Sequence, residues 1–405
     1  MRIYAVLAEI EKLLFLFLKS YIWGQYISSP LFLCISNRLF ANSPHGHGPP
    51  LRAPSFTIHK SVFMSVTIAP IGESLPPYLA SKSYSKIVLL ADTHTRKLCY
   101  PLVKPFLPKH ELIVVPPGEQ HKNLTTCEQI WGAMTDAQLD RHALMLNLGG
   151  GVIGDMGGFC AATYKRGIDF LQIPTTLLSQ VDASVGGKLG IDFQGFKNHL
   201  GVFTQPKNVL IDASFLQTLP YVELRSGFGE IIKHCLIADA AKWEEIRKKD
   251  FEEQNWPDLI AHSVEIKKKV VAEDPTEQGL RKILNFGHTI GHAVETYFLS
   301  KPPKQRLLHG EAIAAGMIME TYLAYRKKMV DLQTLEQVEE FIFSVFGKVS
   351  LEMSDVSAII DLTRQDKKNR GGELRFSLLD KIGGCGYDIK VTAAEIHQAF
   401  AYYVG

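Results

Sequence analysis

Residues 284–292 read Leu-Asn-Phe-Gly-His-Thr-Ile-Gly-His, and His309-Gly310-Glu311 follows a short distance on. On a helix, His288 and His292 fall on one face, one turn apart, a spacing that can hold a metal ion. Neutral imidazoles suit zinc or a similar divalent ion, and a catalytic site needs a third protein ligand and an open position. His309 or Glu311 can supply that ligand. A histidine pair at this spacing is also common on surfaces and in cores. Gly287, Gly291 and Gly310 favour the metal, because glycine inside a helix costs about 1 kcal/mol unless something must approach the backbone closely.

A second constellation is Gly149-Gly150-Gly151-Val152-Ile153-Gly154-Asp155, which follows the apolar run Leu144–Leu148. Such glycines let a pyrophosphate reach backbone N–H groups at a helix N-terminus, where the dipole favours negative charge. The spacing departs from G-x-G-x-x-G, so a tight structural turn competes with a dinucleotide site. Asp92, ending another apolar run, either accepts a ribose hydroxyl or closes a turn. Residues 174–188 pack hydroxyls, Asp182 and the glycine-flanked Lys188 into one segment, with Lys197-Asn198 close behind. Arg166, Lys188, Lys197, Lys233, Lys267, Arg281, Lys367 and Lys368 lie in or beside glycine-rich or helix-start segments. Singly each is a solvated charge; converged, they fit a substrate carrying a phosphate and a carboxylate.

The elements that must position these residues are of two kinds. Lys86–Asp92, Glu111–Val115 and Leu144–Leu148 read as short buried strands, with a helix from Leu124 to Leu139 between the last two. Strands alternating with helices predict a parallel sheet covered on both faces, with ligands at the carboxyl ends of strands. Asp92, Glu119 and the triple glycine fall at such ends. Beyond about residue 220 the strand signals fade. Glu223–Ala238, Trp243–Lys249, Pro257–Ala272, Lys282–Phe298, Gly310–Met329 and Leu335–Phe346 read as helices by 3.6-residue apolar spacing. The expectation is an α/β domain over 56–219 followed by a mostly helical domain over 220–405.

Composition bounds the function less sharply. With 405 residues, 46% hydrophobic and 21% charged, the chain suits two globular domains, and a net charge of +2 gives no mandate for nucleic acid or membrane. Six scattered cysteines form no C-x-x-C pair, which fits a reducing compartment. No apolar run near the N-terminus reaches the roughly 20 residues of a spanning helix. Between Glu11 and Glu73 there is no acidic residue, and 42–54 is proline-rich. Residues 1–55 therefore read as a leader or linker: an organellar transit peptide, a signal peptide, or an early start with Met64 downstream.

Taken together, Gly149–Asp155, Thr163-Tyr164-Lys165-Arg166-Gly167, residues 174–188, Gly229-Glu230-Ile231-Ile232-Lys233, Gly279-Leu280-Arg281, Asn285–His292, Leu308–Glu311 and Asp366-Lys367-Lys368 resemble the 3-dehydroquinate synthase family of the shikimate pathway. The match runs in order from about residue 60 to the C-terminus. The resemblance implies a Rossmann-like NAD-binding domain, a helical metal- and substrate-binding domain and a site in the cleft. It assigns the metal, zinc with cobalt as an alternative, to Glu230, His288 and His309, which moves His292 from ligand to substrate side. It assigns NAD to Asp92, Glu119, Gln120, Lys122, Gly150, Gly151, Val152, Gly154, Asp155, Thr175, Thr176, Lys188, Lys197, Phe215 and Thr218. Substrate falls to Asp182, Lys188, Asn198, Lys233, Lys267, Arg281, Asn285, His292 and one of Lys367 or Lys368. Arg166 would reach the partner's site in a homodimer. Phe196 stands where the family usually has glycine, so the loop there is expected to differ in shape, and Gly229 stands where alanine is common.

By the same resemblance, the substrate is the anionic sugar phosphate 3-deoxy-D-arabino-heptulosonate 7-phosphate. NAD oxidises its C5 alcohol, phosphate leaves by β-elimination, the hydride returns, and an intramolecular aldol step closes the ring. This implies a cytoplasmic lyase, or an organellar one if the leader targets it. The rivals are a related sugar phosphate cyclase and a metal-dependent alcohol or glycerol dehydrogenase. The phosphate-binding lysines argue against the dehydrogenase.

Overall fold

The apolar runs of the first half pair side by side. The computed structural model describes residues 65–364 and 374–405, so the 1–55 leader and Lys367 and Lys368 lie outside the described residues. The strands are β1 (Val66–Ile68), β2 (Ile87–Asp92), β3 (Glu111–Val115), β4 (Leu144–Gly149), β5 (Asp169–Pro174), β6 (Lys188–Phe193), β7 (Phe196–Phe203) and β8 (Asn208–Ile211). Six of them form one sheet in the order β1-β8-β5-β4-β2-β3 with every pairing parallel, while β6 and β7 make a separate antiparallel hairpin.

Both faces of the central strands are covered, as all-parallel pairing requires. Val88, Leu90 and Met145 point into one core with Ile130 and Met156, from helices α1 (Leu124–Asp136) and α2 (Gly151–Thr163). Leu89, Ala91, Leu146 and Leu148 point into the opposite core with Leu75, Val103 and Phe215. The strand after β2 lies to one side and the strand after β4 to the other. The carboxyl ends of β2 and β4 therefore flank a topological switch point, the usual ligand crevice of such sheets. Asp92 ends β2 and Gly149 ends β4, level with Pro174 of β5.

The second half supplies helices α3 (Tyr221–Ala238), α4 (Trp256–Glu273), α5 (His288–Leu299) and α6 (His309–Arg326). Two expectations need correction. An antiparallel hairpin, β9 (Leu374–Lys381) with β10 (Gly384–Val391), follows the helices. Its signal is weak because Phe376, Ser377, Leu378 and Leu379 are consecutively buried, which leaves no alternation to read. The helix expected over 282–298 is also two pieces. A 3₁₀ turn at Leu280–Asn285 ends before Gly287, whose φ of +77° lies in the left-handed region, and α5 begins at His288.

The glycines of this half serve packing between helices. A Cβ on Gly316 of α6 would lie 2.0 Å from Gly287 O, and one on Gly310 2.0 Å from Ser226 O of α3. What approaches these backbones is another helix, not a ligand. The buried Glu320 of α6 completes the joint, accepting from Gly287 N (2.7 Å) and Ile290 N (3.0 Å) at the start of α5. The helical core continues into the sheet half, where Leu177, Val181, Val209 and Ile211 join Phe228, Ile231 and Ile232. Among the described residues, no helix is long and apolar enough to cross a membrane.

Alanine at an ordinary helix interior is better than glycine by about 1 kcal/mol. At Gly316 the sign should reverse: Gly316→Ala is expected to destabilise by about 1–3 kcal/mol through overpacking against Gly287. Urea unfolding of the purified variant checks this, and a gain in stability would refute the close crossing of α5 and α6.

Candidate active site

Three helices meet at one buried carboxylate. Glu230 of α3 is 1% exposed, and its Oε1 lies 3.2 Å from His288 Nε2 of α5 and 3.1 Å from His309 Nε2 at the start of α6. Ligand atoms bound tetrahedrally at about 2.0–2.1 Å sit roughly 3.3 Å apart, so this oxygen and these two nitrogens fit a zinc-sized ion. The remaining ring nitrogens are tied as metal-bound imidazoles usually are: His288 Nδ1 lies 3.0 Å from Phe286 O and His309 Nδ1 3.4 Å from Glu295 Oε2. His292 stands beside them, its ring centroid 5.0 Å from that of His288, and ring nitrogens of all three histidines come within 4.8 Å of one another. Glu311, the other option for third ligand, turns away; it pairs with Arg225 (2.8 Å) and accepts from Leu308 N (2.9 Å) as a helix cap.

Asp182, Glu230 and His234 also bring ligand atoms within 4.8 Å. Cations already occupy that side. Lys233 pairs with Glu230 and lies 3.9 Å from Asp182, while Lys267 is 2.7 Å from Asp182 Oδ1 and donates to its backbone carbonyl at 2.5 Å. Burial works against ionising Glu230, yet Lys233 and His288 hold it well below the usual carboxylate range. Burial, with Lys233, keeps His288 neutral, the form a ligand needs. Burial also works to lower His309, but Glu230 and Glu295 push it up to about 10, so a metal here would displace a proton. Lys267 goes the other way, pushed down to about 8 by burial despite Asp182.

On the sheet side, α2 opens at Gly151 with Gly150 as its cap and no side chain bonded there. A Cβ on Gly150 would crowd the Thr176 side chain at 3.0 Å, so glycine here leaves the cradle open, which fits a pyrophosphate. Val152 sits half-buried in the first turn. Thr175 is buried, its N–H on Gly149 O, and Thr176 Oγ1 lies 2.9 Å from Ser179 Oγ. Asp92 caps the next helix, accepting from Thr95 N at 2.8 Å. Lys122 bridges Asp155 (2.7 Å) and Asn198 Oδ1 (2.6 Å), which sets Asn198 on this side; burial opposes the charge on Lys122, but Asp155 and Glu119 leave it pushed up to about 12. Lys197 reaches Glu295 (2.7 Å) and Glu119 (3.7 Å) despite the exposed Phe196 beside it. Gln120 bonds Pro117 O, and Thr218 donates to Phe215 O. Gly154 is enclosed against Gln172, and Phe215 lies in the sheet core.

The remaining basic residues gather around the 274–285 turn. Arg281 donates to Pro275 O (2.7 Å) and Gly186 O (3.2 Å), Lys188 pairs with Glu277, and Glu277 also takes Asn285 Nδ2 (2.8 Å). Arg166 stands apart. It lies exposed on the turn after α2, at the amino end of β5, and the 13 residues of α2 put it about 20 Å from that helix's glycine start. Sequence reasoning missed Glu277, Glu295, Glu320 and His234. Glu295 alone left a signal: on α5 it follows His288 and His292 at i+7 and i+3, on their face.

A model of the 3-dehydroquinate synthase N-terminal region matches residues 112–226, and one of the C-terminal region matches 227–369. A 3-dehydroquinate synthase of Parabacteroides distasonis is 41% identical over 335 residues, 81% of this chain and 94% of that protein. Among solved structures, a 2-epi-5-epi-valiolone synthase of Streptomyces hygroscopicus subsp. jinggangensis, with NAD+ and Zn2+ bound, is 26% identical with a TM-score of 0.76, covering 85% of this chain and 97% of that one. A 2-deoxy-scyllo-inosose synthase complexed with carbaglucose-6-phosphate, NAD+ and Co2+ shares the fold at 21% identity and a TM-score of 0.71, covering 83% of this chain and 96% of that one.

Lys267 gives the site a pH signature. Below pH 8 both folded and unfolded chains hold its proton, and the fold bears the full burial penalty. Between about 8 and 10.5 the folded chain releases the proton while the unfolded one keeps it, so stability rises with pH. Relative to Lys267→Met, wild type should gain of order 3 kcal/mol over this window, read from urea unfolding at pH 7.5 and 10.5. A flat difference would contradict the shift.

Proposed function

The chain belongs to the 3-dehydroquinate synthase family, and we propose that it converts 3-deoxy-D-arabino-heptulosonate 7-phosphate to 3-dehydroquinate and phosphate, with NAD regenerated each turn and zinc as a resident Lewis acid. The Glu230 carboxylate shared by two imidazoles, set beside a cluster of buried lysines, carries this conclusion. Glu230, His288 and His309 would hold zinc. The Gly150–Gly151 turn, Asp92, Lys122, Asp155 and Lys197 would hold NAD. When bound, these groups supply the transient oxidation and the polarisation of the alcohol oxygen.

The chain's own part is positioning and charge. Asp182 aligns Lys233 and Lys267 toward the metal side. Lys188, Arg281 and Asn285, gathered at the 274–285 turn with Glu277 between Lys188 and Asn285, suit an incoming phosphate or carboxylate that displaces Glu277. His292, next to both histidine ligands, is placed to take up or return a proton near the reacting carbons. A cytoplasmic homodimer completes the reading. The cysteines of the described residues are unpaired, which fits a reducing compartment, and Arg166, remote from its own site, is free to serve a partner's.

Purified protein given NAD, zinc and the substrate should release inorganic phosphate without accumulating NADH, and a chelator should stop it. NADH accumulating without phosphate would make the enzyme a dehydrogenase, and phosphate released only from a different sugar phosphate would make it another cyclase. Mixing inactive Arg166→Ala and Lys233→Met subunits should restore activity to about one quarter of wild type, since half the dimers then hold one intact site. No restoration after verified subunit exchange would place Arg166 outside the partner's site.

A further inference from the structure

Glu295 belongs to neither the ligand set nor the nucleotide set, yet it touches both. It projects from α5 on the face of His288 and His292 and is 7% exposed. Its Oε2 lies 3.4 Å from His309 Nδ1, and its Oε1 accepts from Lys197 Nζ at 2.7 Å. Lys197 sits on the β6–β7 hairpin, 98 residues away in sequence, and also faces Glu119 at 3.7 Å. A nearly buried carboxylate thus joins a metal-side imidazole to a nucleotide-side ammonium.

We propose that Glu295 is a positioning residue that couples the two cofactor sites, so that zinc and NAD each tighten the other's binding; this rests on the reading of both sites given above. For His309 to offer Nε2 to a metal, its proton must reside on Nδ1. A carboxylate accepting from Nδ1–H fixes that tautomer and the ring's orientation. The same carboxylate's second oxygen fixes Lys197, and with it the hairpin beside Lys122 and Asp155. A metal that orders His309 orders Glu295, and Glu295 presents Lys197 to an anionic nucleotide. Binding linkage is reciprocal, so NAD must act back on the metal by the same factor. Glu295→Gln keeps the shape, but its neutral amide oxygen accepts more weakly from His309 Nδ1–H, which leaves the imidazole a poorer metal ligand, and it loses the charge that holds Lys197.

Zinc affinity, measured by competition with a chromophoric chelator with and without saturating NAD, tests this on the full-length chain, with circular dichroism melts confirming that each variant is folded. In wild type, NAD should raise zinc affinity about 5-fold or more. Glu295→Gln should bind zinc about 10–100-fold more weakly and lose the NAD effect. Lys197→Met should keep zinc affinity without NAD within about 2-fold of wild type and also lose the NAD effect, since only the nucleotide arm is cut. Absence of linkage in wild type, wild-type zinc affinity in Glu295→Gln, or linkage surviving in either variant would overturn the assignment of Glu295 alone. Wild-type protein that takes up neither zinc nor NAD would instead overturn the reading of the site, and this inference with it.

Discussion

The ionised carboxylate of Glu230, almost wholly removed from water, is the constraint to which the rest of the structure answers. A bare buried charge costs several kcal/mol, so it persists only where opposite charge and hydrogen-bond donors surround it. Lys233 supplies the charge from the same helix, while His288 and His309 supply ring nitrogens from two others. That requirement draws α3, α5 and α6 into close contact, and the glycines at 287, 310 and 316 let their backbones meet. Glu320 fixes the angle of α5 against α6 through two backbone N–H groups, so the imidazoles are held by the joint as well as by their own bonds.

Outward from Glu230, charges alternate in sign across both halves of the chain. Lys233 leads to Asp182 and Asp182 to Lys267; in the other direction His309 leads to Glu295, and Glu295 to Lys197 and Glu119. Few of these groups are isolated from an opposite charge, which is what lets so many ionisable residues share a largely desolvated cleft. Such a prearranged field can stabilise charge that shifts during reaction without first having to reorganise. The sheet contributes the other essential surface: a helix N-terminus opened by Gly150 and Gly151 at the switch point between β2 and β4.

How much of this was legible in the sequence follows from how local each signal is. β2, β3 and β4, the glycine turn and most of the helices between 221 and 346 each show in a short window of residues and were read close to their true limits, whereas β1, β5 and β8 and the helices Met353–Arg364 and Ala393–Val404 were not read. The His288/His292 pair flagged the metal region, but Glu230 entered only through the resemblance, because it lies 58 positions before His288. The helix break at Gly287 escaped apolar spacing, since Ile283 and Leu284 in the turn before it are buried and continue the apolar pattern into α5. β9 escaped because burial on both faces erases alternation, and β10 because most of it is only partly buried or exposed. Glu277 and Glu320 left no local signal at all, their roles being set by partners brought close only by the fold.

The central claim is that Glu230, His288 and His309 form the metal site, with His292 outside the ligand set. Anomalous diffraction at the zinc edge from crystals of the zinc- and NAD-loaded protein tests it most directly. One peak about 2.0–2.2 Å from Glu230 Oε1, His288 Nε2 and His309 Nε2 is predicted. A peak bound by His288 and His292 without Glu230, or lodged between Asp182 and His234, would contradict it.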